Sequence, residues 1–561
     1  MKKLIASHTL LFAVVLVLGL IWAGGCVTFA TTQLPSDAQP ACVVTPSTFN
    51  NWFVSGSVAL DGVVKPANSV TFPNIPNCSF YQWTEQMFLW LTSPTPPNYG
   101  GGGGRIFASP AFYTISPPDT NGERTLMRNT AGGRGIFSVR AAQLGKNKLP
   151  VVMEQGSRRL FEMVPPVISR SGKQLIQSEK GDSIEIERAI LGEDQKPIFF
   201  DKSNRPIPGA KPILPRKLIE QQVVQKFMIG KTPIFLGKVG NVIQTEQGQA
   251  DGGQVLMSTT GSLVYFVSYV NEVFAYFLTG AKNSDPLITN PNFFPTTQSE
   301  LDGIINYAAA HGKTIVDPEA LAIEVKTAWV EESTIPNSNK SDYITMMATI
   351  PTYNTSNPAQ WVPTGQKTVK MALVGMHVVG SAAGHKEMIW GTIEHMSNTP
   401  NAAYSYINSS NANVNVPQNT NAGPWLFCFN GATDPFTIPH MNMNGSNIKA
   451  ITPHNISPSN TLRTFPWGTI ATDASSNTEI IALNNSVRGM LASGDVRRNY
   501  MHTGTTWTIG GAPPSTTNQV GTAALTNSTM ETYQIGTNCF DCHTTNTVNV
   551  SRMYNSLKKL F

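Results

Sequence analysis

Cys539-Phe540-Asp541-Cys542-His543 is a C-x-x-C-H run. Two thiols at that spacing can add to the two vinyl groups of one porphyrin, and the adjoining imidazole then falls beneath the iron as its proximal ligand. With six Cys and nine His in 561 residues, the pattern arises by chance on the order of once in a thousand such chains. Two other chemistries use a Cys pair. A structural zinc site needs a second pair of ligands, and no other C-x-x-C occurs. A redox dithiol would open a helix after a strand in a βαβ unit, and it has no need of His543. The spacing therefore points to one covalent haem c on Cys539 and Cys542, with His543 on the iron.

Only 18 residues follow His543. A small helical class-I cytochrome c domain begins near its motif and takes a Met ligand far downstream, for which this chain has no room. Met553 is the only His or Met after the motif, and it lies too close to reach over the ring. The receiving pocket must therefore be built upstream. Any distal ligand must come from there as well, or the iron is five-coordinate and open. Residues 369–379 alternate as a strand, placing Met371, Leu373, His377 and Val379 on one face. After a turn at Gly384, residues 388–395 return with Ile389, Gly391, Ile393 and His395 on one face. His377 and His395 are the candidate distal ligands. The alternative for each is a core His hydrogen-bonded to Glu394 or to backbone. His440, His454, Met501 and His502 read as loop residues and are weaker candidates.

Haem attachment by this motif takes place after export, and the N-terminus agrees. Lys2 and Lys3 precede an apolar run over 10–23, and Thr28-Phe29-Ala30 offers a small-x-small cleavage site. The rival reading is an uncleaved anchor, since weakly apolar sequence continues to Ala30. Cys26 in Ala-Gly-Gly-Cys resembles a lipidation site, although Ala23 stands where a large aliphatic residue is expected. The expected location is periplasmic or secreted, with membrane association only through an uncleaved signal or a lipidated Cys26. An oxidising compartment permits disulfides. Cys42–Cys78 is the nearer pair, which would leave Cys428 a free, buried thiol.

A net charge of +5 is small for this length and does not suggest a nucleic-acid binder. The charged fraction of 13% is low, with Asn, Thr, Ser, Gly and Pro in its place. Together with many short strand signals, this predicts a β-rich α+β fold: a large body of several subdomains with a C-terminal haem-attachment tail. The expected divisions are a signal peptide (1–30), an N-terminal subdomain (31–145), an insertion (146–240), a central α+β core (241–400), an Asn/Thr-rich region of loops and strands (401–530) and the tail (531–561). In the first subdomain, Phe80, Trp83, Met87, Trp90 and Leu91 recur at helical spacing. That helix could line a haem pocket or simply be core. The insertion holds 17 of the 40 Lys+Arg and reads as short hairpins. Its basic face could dock an acidic redox partner or be only a solvated surface. The 401–530 region carries nine charged side chains and reads as long loops wrapped on a core.

The segments 78–94, 253–278, 372–395 and 538–543 together resemble an uncharacterised family of bacterial exported proteins labelled cytochrome c family, with one C-terminal haem motif. The resemblance implies haem c at Cys539, Cys542 and His543. It marks His377, Trp390, Glu394 and His395 as family-pattern residues without roles, and it supplies no substrate. Electron transfer with a redox partner protein is the leading expectation. One alternative is a haem-dependent oxidoreductase with an open distal site, favoured by a protein body far larger than a carrier needs. Another is an envelope binding protein whose haem is structural.

Overall fold

The antiparallel hairpin expected around Gly384 forms the middle of the molecule. The computed structural model describes residues 28–561 apart from 76, 118, 120–122, 134, 140–150, 154–159, 193–195, 216–217, 219–221, 230–231, 244–253, 420–423, 430–435, 437, 445, 452, 516, 523, 525–526, 533–538 and 544–546. The apolar N-terminal segment and Cys26 lie outside the described residues. Among the described residues, no helix is long and apolar enough to cross a membrane.

Eight strands make the main path of a 12-stranded sheet. They are β1 (Phe112–Ile115), β2 (Leu126–Arg128), β3 (Tyr265–Asn271), β4 (Ile323–Glu331), β5 (Gln360–Ala382), β6 (His385–His395), β7 (Tyr500–Thr508) and β8 (Gln519–Gly521). Their spatial order is β2-β1-β3-β4-β5-β6-β7-β8, every neighbour antiparallel. Chain order thus becomes spatial order except for one exchange at the edge. Strands from 31–145, from 241–400 and from 401–530 share this one sheet, so the fold is α+β and β-rich.

Helices cover both faces. On one side lie α1 (Pro46–Trp52), α2 (Cys78–Leu91) and α5 (Ala474–Met490), whose apolar residues join one core with Met376, Val378, Ile389 and Ile393. On the other lie α3 (Glu272–Lys282), α4 (Gln298–Ala310) and the C-terminal tail, in a second core with Val379, Met388 and Trp390. Asn271 ends β3 and starts α3, its side chain accepting the Phe274 N–H at 3.1 Å. Thr297 and Glu300 form a capping box at the start of α4.

The aromatic segment is the helix α2, and it is a core helix. It seats so closely that a Cβ on Gly391 would overlap the Thr84 side chain and one on Gly380 would meet Trp83; only glycine leaves room there. Its start is tied down by the Cys42–Cys78 disulfide, with Cα atoms 5.4 Å apart. Cys428 is a buried thiol. Burial pushes the Glu85 carboxyl on α2 up to about 8, and Arg488 of α5 pulls the other way.

A bulge decides what each face of β5 carries. Trp329 of β4 pairs with Leu373 and Ala328 with Gly375, so Val374 is an extra residue. Met371 and Leu373 therefore share the α2 side with Met376 and Val378, while Val379 belongs to the tail side. The uniform alternation expected along 369–379 is broken, and His377 does not share a face with Met371 and Leu373.

The 401–530 region contains more regular structure than its polarity suggests: the 17-residue helix α5 and the wholly buried strand β7. Met501 and His502 are thus strand residues, not loop residues. Asn484 explains how a polar helix enters the core. Its amide accepts the His502 N–H at 2.9 Å and donates to the His502 carbonyl at 2.7 Å. These are backbone groups beside the bulge that Thr503 makes in β7.

The basic insertion is hairpin-rich as expected. Strands Val151–Met153, Leu160–Val164, Val223–Ile229 and Thr232–Gly237 form a separate four-stranded sheet, and two further hairpins accompany it. Ile176, Phe199, Ile207, Phe227, Ile234 and Leu236 form its own small core.

Candidate functional site

The motif residues occupy one turn of helix, α6 (Cys539–Cys542), which His543 closes by donating its N–H to the Cys539 carbonyl at 2.9 Å. A helical turn brings positions i and i+4, here Cys539 and His543, to one side. Phe540, Val548, Val550, Tyr554 and Leu557 anchor the tail in the α3–α4 core. Its backbone is tied by Lys282 donating to the Tyr554 carbonyl at 3.1 Å and by paired bonds between Arg124 and residues 556 and 558. The tail is thus folded back onto upstream sequence.

His543 is only 6% exposed. Its Nδ1 lies 2.7 Å from the Val550 carbonyl oxygen. A carbonyl can only accept, so Nδ1 carries the hydrogen and Nε2 is left with its lone pair. Nε2 is buried and has no hydrogen-bond partner among the described residues. Burial, helped by the positive charges of Arg552 and Lys326, pushes the imidazole down to about 3, so it is neutral and able to ligate. The Trp390 ring lies against it, centroids 4.4 Å apart.

His543 lines a cleft of about 40 Å³ with Cys539, Glu324, Lys326, His377, Val379, Trp390, Gly391, Glu531 and Ser551. Glu324 and Lys326 come from β4, His377 and Val379 from β5, Trp390 and Gly391 from β6. His377 is thus brought to the motif. Its Nε2 sits 2.9 and 3.0 Å from the two Glu531 oxygens, and Glu531 also accepts the Asn527 N–H at 3.0 Å. Burial pushes the Glu324 carboxyl up to about 7, opposed by the nearby Ser551 hydroxyl and by the positive charges of Lys326 and Arg124.

The chain matches no family model, no curated protein and no solved structure. The site is therefore read from its own geometry.

His395 is not brought to the cleft. It stacks on Tyr343 with ring centroids 3.8 Å apart. Its Nδ1 meets the Ser397 hydroxyl at 2.8 Å, and its Nε2 donates to the Asp342 carbonyl at 3.0 Å. Both nitrogens are occupied on the α2 side of the sheet, so His395 is a core histidine and not a distal ligand. His502 is likewise buried, its Nε2 2.7 Å from Thr505 Oγ1. His440 and His454 stack on each other in another part of the fold.

Glu394 faces away from His395 and fastens the tail. It accepts from Arg463 Nη2 at 3.0 Å and from the Ser528 N–H at 2.8 Å. Glu324, Lys326 and Glu531 escaped the sequence reading. The first two could have been found as the polar positions of an otherwise apolar strand; Glu531 gave no signal. Among the described residues, no group of three or more His, Cys, Asp or Glu is arranged to hold a bare ion. His543 Nε2 is the donor here that could hold a haem iron.

Proposed function

We propose that this chain is an exported c-type haem protein that transfers electrons, with one haem on Cys539 and Cys542 and His543 as the proximal ligand. The observation that carries this reading is His543 itself: Nδ1 committed to the Val550 carbonyl, Nε2 buried without a partner. A buried, unsatisfied imidazole nitrogen costs on the order of 1–3 kcal/mol, and an axial bond to iron would remove that cost. The Nδ1–H bond to a carbonyl also orients the ring and raises its basicity as a ligand. The Cys42–Cys78 disulfide fits an oxidising compartment. The family resemblance remains part of this proposal.

The bound haem would supply a one-electron couple. The chain's residues would set its environment. Trp390 and Val379 would form an apolar wall beside it. Glu531, and Glu324 when ionised, would favour the more positive oxidised state, and Lys326 would oppose them.

The test is expression with haem-maturation machinery, followed by a pyridine haemochrome assay and a covalent haem stain. The expected result is one haem per chain, lost in the Cys539→Ala/Cys542→Ala double variant. A stain that persists in that variant overturns the proposal.

A further inference from the structure

A second cavity, of about 430 Å³, opens between Thr32, Asn401, Tyr404, Val416 and Trp425, a volume usual for small-molecule sites. It shares no residue with the cleft of His543. Among the described residues, no charged side chain lines it.

Arg463 sets the polarity of its wall from behind. That guanidinium is 1% exposed and already paired with Glu394. It donates through Nη1 to Asn401 Oδ1 at 2.5 Å and to Thr32 Oγ1 at 3.2 Å. A guanidinium can only donate, so the Asn401 atom facing it is the oxygen and the amide NH2 is turned away from it. The Thr32 hydroxyl accepts from Arg463 and must send its own hydrogen elsewhere. Asn401 is 8% exposed and Trp425 2%. Thr259 Oγ1 holds the Trp425 carbonyl at 2.9 Å. Asn401 Nδ2 and Trp425 Nε1 have no partner among the described residues, and neither is cut off from solvent space. Both can only donate. The apolar side is equally fixed. Tyr404 pairs directly with Val416 across a hairpin, so the two side chains stand on one face. The Tyr404 ring meets Trp467 edge-on, centroids 5.6 Å apart.

We infer that this cavity binds a neutral sugar ring carrying an acetamido group. The carbonyl of that group supplies the acceptor that the fixed donors require, and its methyl group and the C–H face of the ring suit Tyr404 and Val416. A sugar with hydroxyls alone brings a hydrogen with every oxygen, and those hydrogens find no acceptor in Asn401 Nδ2 or Trp425 Nε1. An anion finds donors but no charge to meet its own, because Glu394 already neutralises Arg463. The site is independent of the haem reading.

The experiment is isothermal titration calorimetry on the full chain with four probes: N-acetylglucosamine, its β-1,4-linked dimer, glucose and glucuronate. At least one acetamido probe should bind about tenfold or more tightly than glucose, and glucuronate should not bind. Asn401→Asp keeps an oxygen on Arg463 and removes only the Nδ2 donor; it should weaken binding about tenfold. Trp425→Phe keeps an aromatic ring without its N–H and should weaken binding about fivefold. Urea unfolding of each variant is recorded beside the titration, so that loss of fold is told apart from loss of binding. Either acetamido probe binding in this way supports the inference, and a tighter dimer would make the ligand a glycan chain. Four results overturn it: no binding of either acetamido probe at millimolar concentration, glucose binding as tightly, glucuronate binding more tightly, or an affinity unchanged in both folded variants.

Discussion

His377 and His395 stand on opposite faces of one antiparallel hairpin, the first beside Glu531 in the cleft and the second stacked on Tyr343 in the core. Their neighbours explain the division. Thr392, which pairs with His377, binds Asn527 just ahead of the tail, whereas Ile393 belongs with the α2 core. The two imidazoles should therefore answer mutation differently. His395→Ala removes two buried hydrogen bonds and a stacked ring, and should cost about 2–4 kcal/mol in urea unfolding. The haem absorption spectrum should stay unchanged. A shifted spectrum in His395→Ala would place that residue near the iron after all.

The tail is fastened by a charge pair that water does not reach. Arg463 and Glu394 are 1% and 0% exposed, and Glu394 also receives the Ser528 N–H. Breaking one half leaves a buried charge alone, so Glu394→Ala should cost about 3–5 kcal/mol. Because residues 527–532 lose their anchor, limited proteolysis should cut between the body and the motif sooner than in the parent. Equal cutting rates in the two proteins would mean that the pair does not hold the tail.

Glu85 should give stability a downward slope with pH. Its carboxyl is raised from 4.5 to about 8, first by burial, so the folded state holds its proton more tightly than the unfolded state does. That contribution is complete below pH 4.5 and is lost as pH rises through about 8. Glu272, raised to about 6, acts in the same direction over a narrower range. Thermal unfolding should therefore fall between pH 5 and pH 8.5, and Glu85→Gln should flatten the fall. An identical slope in the variant would assign the effect elsewhere.

The Cys42–Cys78 bridge spans 36 residues, and in the chain-entropy model closing such a loop is worth about 4 kcal/mol. Cys42→Ala/Cys78→Ala should lower the urea midpoint accordingly. Dithiothreitol should do the same to the parent while leaving thioether-bound haem stained. Loss of stain on reduction would argue against covalent attachment.

The β-rich α+β class, the helix α2 and the hairpin at Gly384 were legible because each rests on local periodicity. The placement of His395 with Ile389, Gly391 and Ile393 was legible for the same reason. The face of His377 was not, because the extra residue Val374 changes the phase of the strand, and the one mark of that bulge, the adjoining Gly375, went unread. The helix α5 was hidden because Asn477 and Asn484 stand at buried positions, where their amide groups donate to backbone carbonyls of Ser405 and His502. Glu531 was hidden because its meaning depends on a histidine 154 residues away. The motif itself needed no tertiary knowledge, since its chemistry is contained in five consecutive residues.

The insertion over 146–240 has a sheet and a core of its own, and that separation has an electrical meaning. It carries 17 Lys+Arg against 10 Asp+Glu, while the rest of the chain carries 23 against 25. The whole positive excess thus resides in a module whose interior is not shared with the cleft walls. Reversing its surface charge would alter encounter rates and salt sensitivity with charged partners, and it would leave the environment of His543 as it is. Selection could retune whom this protein meets without retuning what it does on meeting them.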